Sequence, residues 1–198
     1  MSEILNRNNF FVKEHVGMFK AANNYDILCP ESSEEILHCR EENLGFFTKM
    51  LRFTKYKTMT PFNVGINTLE GKQIVRIRKP TSFLLSKITV HGENDEVIGT
   101  FNQKFSIFKS KFDILDPKGE KAFNLKGKWT GWDFKFLDNE ENELASVTKK
   151  WAGLGKALFT SADNYMLSIS DSVEPDDDKR RLILASVICI DMVIHEKK

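Results

Sequence analysis

Five times along this chain, a short run of alternating apolar and polar residues meets a cluster of turn formers and doubles back into a second run. Tyr25-Asp26-Ile27-Leu28 leads through Pro30-Glu31-Ser32-Ser33 into Ile36-Leu37-His38-Cys39. Phe62–Ile66 turns at Leu69-Glu70-Gly71-Lys72 into Ile74–Arg78, and Ile88–Val90 turns at Gly92-Glu93-Asn94-Asp95 into Val97–Phe101. Phe112–Leu115 turns at Asp116-Pro117-Lys118-Gly119 into Ala122–Leu125, and Trp132–Phe136 turns at Asp138-Asn139-Glu140 into Leu144–Val147. Side chains on a strand alternate between faces, so this period buries one face of each run, while Gly, Asn, Asp and Pro supply the backbone angles of tight turns. Repeated hairpins at this spacing predict a mainly β, antiparallel sandwich or barrel. An internal echo, Tyr25–Pro30 against Phe112–Pro117, is consistent with two related halves sharing one closed sheet.

The C-terminal stretch breaks the pattern. Leu182–Ile194 is apolar all round apart from Ser186 and Asp191. As a helix it is about 20 Å long, too short for a bilayer core of roughly 30 Å. Asp176-Asp177-Asp178 before it and His195, Lys197 and Lys198 after it complement a helix dipole. A helix apolar on every face belongs inside something, which predicts a barrel closed around its own C-terminus; a buried strand is the rival reading.

The 198 residues fit one domain, 1–198, with 1–8 as a flexible N-terminus and 180–196 as the central helix. A formal net charge of +1 excludes a generally basic nucleic-acid binder. Met1–Arg7 lacks the apolar run of a signal peptide, and three unevenly spaced cysteines, Cys29, Cys39 and Cys189, make no disulfide framework; both point to a reducing, cytoplasmic setting. His15, His38, His91 and His195 are scattered without metal-ligand spacing. Gly153-Leu154-Gly155-Lys156 lacks the upstream glycine and following hydroxyl residue of a phosphate loop. No catalytic centre or cofactor is expected. Trp129-Thr130-Gly131-Trp132 reads as barrel packing rather than a ligand platform.

Charge is uneven beneath the neutral total. Phe46–Val90 holds nine basic residues against Glu70 alone, a net of +8, whereas Glu31–Glu42 holds five glutamates against Arg40. In Lys72–Lys79, strand alternation puts Lys72, Arg76 and Arg78 on one face, with the two arginines about 7 Å apart and Val75 and Ile77 pointing inward. Two guanidinium forks at that separation suit a phosphorylated headgroup, with Lys79, Lys109 and Lys111 extending the surface. The plainer alternative is a solvated strand face whose arginine stems cover apolar neighbours.

Several segments resemble the phospholipid scramblase and LURP-one-related family: Asn24–Ile27, Pro61–Val64, Ile77–Pro80, Ile98–Gln103, Phe134–Phe136, Val147–Gly153, Phe159–Tyr165 and Cys189–Met192. The resemblance runs from about Asn9 to Glu196. It implies a tubby-like fold, a closed antiparallel barrel of about twelve strands around a buried C-terminal hydrophobic α-helix. Animal members are associated with calcium-dependent movement of phospholipid between leaflets, plant members with defence, and tubby proteins bind phosphoinositides through a basic patch. The family's acidic calcium segment corresponds here to Ser161–Ser172, with Ser at both end positions and Met166 where a calcium loop needs Gly. Asp163, Asn164 and Asp171 are therefore expected to hold no metal, and Tyr165–Ile169 alternates like a strand preceded by a turn. Thr81–Lys87, where animal scramblases carry a palmitoylated cysteine cluster, contains no Cys.

The expectation is a monomeric, non-enzymatic protein, cytoplasmic and peripheral at the inner membrane face. It would bind anionic phospholipids or phosphoinositides through Lys72, Arg76, Arg78, Lys79, Lys109 and Lys111, with no cofactor and no specific nucleic-acid partner. The alternatives are a protein-interaction scaffold without lipid affinity, or genuine scrambling between leaflets.

Overall fold

The computed structural model describes residues 3–15, 22–42, 45–54, 59–81, 87–104, 111–128, 131–149, 164–175 and 177–194. Among these residues, twelve strands and two α-helices follow in chain order. The first half contains β1 (Asn9–Glu14), β2 (Tyr25–Leu28), β3 (Glu35–Glu41), helix α1 (Phe46–Arg52), β4 (Phe62–Thr68), β5 (Gln73–Lys79) and β6 (Lys87–His91). The second contains β7 (Val97–Lys104), β8 (Lys111–Leu115), β9 (Lys121–Lys128), β10 (Asp133–Leu137), β11 (Glu143–Thr148), β12 (Asn164–Ile169) and helix α2 (Asp178–Ile194). Every strand pairs antiparallel with its neighbours in sequence, and β1 closes the barrel on β12 through a register running from Asn9↔Ser168 to Lys13↔Asn164. All five expected hairpins are present.

Four of the hairpins share one turn design. In β4–β5, the Gly71 N–H donates to the Thr68 carbonyl at 3.0 Å and the Thr68 N–H to the Lys72 carbonyl at 2.8 Å. The same pair of bonds recurs at Gly92–Glu96, Asp116–Glu120 and Asp138–Asn142. This is a type I turn followed by one residue in the left-handed region. Gly71 and Gly119 take that seat at φ 87° and 84°; Asp95 and Glu141 take it at 64° and 65°, where a Cβ is strained.

Helix α2 fills the barrel. From Leu182 to Met192 every side chain is buried, and inward residues of the strands, among them Val64, Val75, Ile77, Ile88, Val147 and Leu167, surround it. Gly99 on β7 makes room: a Cβ there would stand 2.5 Å from Leu182 Cδ1. The two polar interruptions are accommodated within the core. Ser186 Oγ donates to the Leu182 carbonyl one turn back, and the Tyr25 hydroxyl hydrogen-bonds Asp191. Burial, then the Asp191 charge, holds the Tyr25 hydroxyl well above its usual pKa. Trp132 is fully buried and stacks on Tyr165 at 3.9 Å, so this half of the Trp129–Trp132 pair is packing, as expected; Trp129 lies outside the described residues.

Three expectations change. The helix starts at Asp178, two residues earlier than read, because Asp178 occupies its first turn. Residues 3–8, expected to be flexible, are tied down: Glu3–Asn6 form a 3-10 turn, Leu5 is buried, and Arg180 from α2 donates to the carbonyls of Leu5 and Arg7 and to Asn8 Oδ1. Strand β1 and helix α1 were not anticipated. In β1, Phe10, Phe11 and Val12 are buried in succession, which erases the alternation that betrays a strand. Helix α1 has seven residues, too few to display a helical period.

Candidate functional site

Strand β5 places Arg76 and Arg78 on the outer face and Val75 and Ile77 in the core, as its alternation requires. Each outward cation, however, meets a carboxylate. Arg76 Nη1 lies 2.7 Å from Glu42, and its Nε donates to Gln73 Oε1 at 2.6 Å. The arginine reaches Glu42, just beyond β3, across β4 at Gly65; Glu42 Oε1 is 3.4 Å from where a Gly65 Cβ would stand. Arg78 Nη2 lies 3.0 Å from Asp95 in the β6–β7 turn. Lys72 Nζ lies 2.7 Å from Glu93, which also holds Arg181 of α2 at 3.1 Å. Burial raises the Glu93 pKa, but hydrogen bonds from Lys72 and Arg181 outweigh it and the carboxyl titrates below the usual range.

The three expected surface cations therefore differ in how available they are. Arg76 is mostly enclosed, whereas Arg78 and its partner Asp95 are 40% and 53% exposed, a pair of the kind that contributes about 0–1 kcal/mol. Lys79 corrects the expectation: it lies on the inward side with Val75 and Ile77, is buried, and donates to the Thr60 carbonyl at 2.9 Å while standing 5.8 Å over the Phe62 ring. It cannot extend an outer face. Lys111 opens β8, and Lys109 lies outside the described residues.

Beside Arg78 a groove of about 400 Å³ opens between the ends of β3, β4 and β5 and helix α1. Glu41, Glu42, Thr48, Pro61, Phe62, Asn63, Arg78, Lys79 and Pro80 line it. Asn63 Oδ1 is buried with no hydrogen-bond partner among the described residues. Helix α1 is pinned above the groove by a buried ion pair between Arg52 and Glu41, with Arg52 donating also to the Pro61 carbonyl at 2.9 Å and Thr60 Oγ1 at 3.3 Å. Asn23 completes the shell of Glu41, donating from its backbone and side-chain nitrogens at 2.9 and 3.1 Å. Neither the groove nor the partners Glu42, Glu93 and Asp95 emerged from the sequence. The signal was available in part, since the β3–β4 and β4–β5 registers, extended across Gly65, bring the acidic block of Glu31–Glu42 beside Arg76.

The calcium segment is not assembled as a loop among the described residues. Asn164 is buried and starts β12, Asp171 is exposed and accepts a hydrogen bond from Asn8 Nδ2, and Asp163 lies outside the described residues. No group of three metal-ligating side chains occurs among the described residues. No described helix is long and apolar enough to cross a membrane.

Comparison with known proteins places this geometry. The fold is shared with an Arabidopsis thaliana protein known from an X-ray structure, at a TM-score of 0.57 and 12% identity, covering 94% of this chain and 91% of that one. A budding-yeast protein, altered inheritance rate of mitochondria protein 25 from Saccharomyces cerevisiae, is 24% identical over 95% of this chain and 68% of its own length. A phospholipid scramblase family protein of Schizosaccharomyces pombe is 19% identical over 78% of this chain, and human phospholipid scramblase 2 is 20% identical over 69%. These matches span 42% and 50% of those two relatives' lengths. The Scramblase family model matches residues 3–197, from the 3-10 turn to beyond the end of α2, and with the tubby-like barrel in place the chain belongs to the scramblase family.

Proposed function

We propose that this protein acts without catalysis at phospholipid surfaces, taking the phosphate of an anionic headgroup at Arg78 on the wall of the groove. The observation that carries this reading is the exposed Arg78–Asp95 pair beside the groove of about 400 Å³. A weak, solvated ion pair yields readily to a phosphate, which the guanidinium fork binds in a bidentate, charge-assisted way. Asn63 Oδ1 and Glu42 on the same walls offer acceptors to the hydroxyl or ammonium groups of a headgroup. Lys72 and Arg76, tied to Glu93 and Glu42, add to the local field more than to direct contact. Several relatives carry phospholipid in their names, which supports a lipid over other anions.

The same acid partners favour a second reading. With Lys72, Arg76 and Arg78 each facing a carboxylate, the outer face of β5 is close to neutral, as a protein-interaction scaffold without lipid affinity would have it. Flotation with phosphatidylserine or phosphoinositide vesicles, against phosphatidylcholine alone, separates the two. Each cation near an anionic surface contributes about 1 kcal/mol, so Arg78→Glu, a change of two charges, lowers affinity by roughly thirtyfold with the melting temperature held. Parent protein that floats with none of these vesicles, or a variant that floats like the parent, leaves the scaffold reading. A dithionite quench of fluorescent lipid in the same vesicles reads scrambling directly.

A further inference from the structure

Helix α1 packs inside out. Its residues Thr48 and Arg52 face the barrel, Thr48 on the groove wall and Arg52 in the buried pair with Glu41. The opposite face carries Phe46 and Met50, continued by Phe53 at the C-cap, at the i, i+4, i+7 spacing of one stripe, and these are 72%, 55% and 61% exposed. Leu51 is exposed as well, and Lys49 stands beside the stripe. An amphipathic helix on a globular protein normally turns its apolar stripe to the core. Here the barrel already has α2 for a core, and α1 is attached by a polar anchor that leaves the stripe facing out. Clustered large apolar side chains at a surface mark an interaction site.

The chemistry of the segment selects the occupant. From Phe46 to Lys57 the sequence holds four aromatic residues, three basic residues besides the paired Arg52 (Lys49, Lys55, Lys57) and no acidic one. Aromatic and apolar residues with a basic fringe suit the boundary between acyl chains and anionic headgroups. We infer that α1 is a membrane-insertion element, its Phe46–Met50–Phe53 stripe entering the interface of an anionic bilayer while the groove beneath it meets the headgroups. The inference rests on the membrane-surface reading above. A seven-residue helix is marginal in water, so burying its exposed apolar stripe in lipid also stabilises the helix.

The test uses the whole chain with phosphatidylserine vesicles, some carrying brominated acyl chains. Phe46→Ser with Phe53→Ser is expected to cut flotation at least tenfold with an unchanged melting temperature, and Met50→Trp to gain fluorescence quenched by the brominated chains beyond that of the parent. If the parent and Arg78→Glu differ in flotation while the serine variant floats like the parent and the new tryptophan is not quenched, the insertion falls and the headgroup reading stands. If the serine variant loses binding and the tryptophan is quenched while Arg78→Glu floats like the parent, the helix stands and the groove reading falls. A parent that binds no vesicle overturns both. A parent dimer that the serine variant converts to monomer, without vesicle binding by either, assigns the stripe to a second copy and overturns the inference.

Discussion

Arg180, in the first turn of α2, is the tie between the central helix and the start of the barrel. It is 2% exposed, and its guanidinium donates to the Val173 carbonyl at 2.8 Å, the Leu5 carbonyl at 3.1 Å, the Arg7 carbonyl at 2.9 Å and Asn8 Oδ1 at 2.7 Å. Burial lowers its pKa against the opposing pull of Asp171 and Glu174, but a guanidinium remains a cation at neutral pH. Arg180→Met keeps the stem packed and removes all four hydrogen bonds. A hydrogen bond from a charged group contributes about 1.5–3 kcal/mol, but the four are not additive, and carbonyls near the N-terminal turn can recover water. A loss of about 3–5 kcal/mol is expected, the scale on which breaking a buried charged network is felt. At about 2–4 °C per kcal/mol for a domain of this size, the melting temperature drops by roughly 6–20 °C. Urea unfolding followed by tryptophan fluorescence should show a lower midpoint with the slope unchanged, since the same surface is exposed. Trypsin should also cut sooner after Arg7. A loss below about 1 kcal/mol, the level of a surface pair, would refute the idea that this arginine fastens residues 3–8 to the helix.

Three further outcomes are expected. Leu184→Asp or Val187→Asp puts an unpaired charge on a fully enclosed face of α2, costs several kcal/mol and leaves an insoluble or molten chain; a soluble variant with the parent's near-ultraviolet circular dichroism contradicts the buried helix. Burial raises the Asp26 pKa, but hydrogen bonds from Arg40 and His15, with their charges, more than offset it; Glu93 is lowered likewise. The unfolded chain then binds more protons than the folded one, so stability held above the ordinary carboxylate value of about 4 is lost as pH falls through the lower folded value. Arg40→Met flattens that acid limb in urea titrations at stepped pH, and an unchanged limb counts against the pairing. Glu141→Gly relieves a left-handed residue at φ 65° and should add about 0.5–1 kcal/mol once glycine's greater unfolded freedom is deducted, read as a higher urea midpoint; a loss of stability refutes the turn assignment.

The hairpins and the central helix were legible because each rests on local information. Gly71 and Gly119 declare their turns, and Leu182–Met192 declares its burial by having no polar face. The elements that escaped are those whose reasons lie elsewhere in the fold. Phe10-Phe11-Val12 loses its alternation because all three residues are buried. Helix α1 is held by Arg52 through Glu41, a contact that no local period announces. The candidate site divides the same way. Alternation correctly turned Arg76 and Arg78 outward, yet their partners Glu42 and Asp95 arrive from the end of β3 and from the β6–β7 turn, so the apparent charge of the strand is compensated across the sheet. Lys79 shares the inward parity of Val75 and Ile77, which the strand pattern already implied; its ammonium is accommodated inside by the Thr60 carbonyl.

The closure of β1 on β12 around α2 also dictates an order of events. The barrel's filling follows all twelve strands in the chain, and one of the contacts that fastens it, Arg180 to Leu5, spans 175 residues. A chain emerging from the ribosome can pair β1 through β11 in succession, yet until β12 and α2 follow it is an open, curved sheet with a greasy hollow and two unpaired edges. Such a sheet is prone to join another of its kind, and contacts of such long range make closure slow. The hollow that α2 fills therefore stays without its occupant until the last element of the barrel has been made.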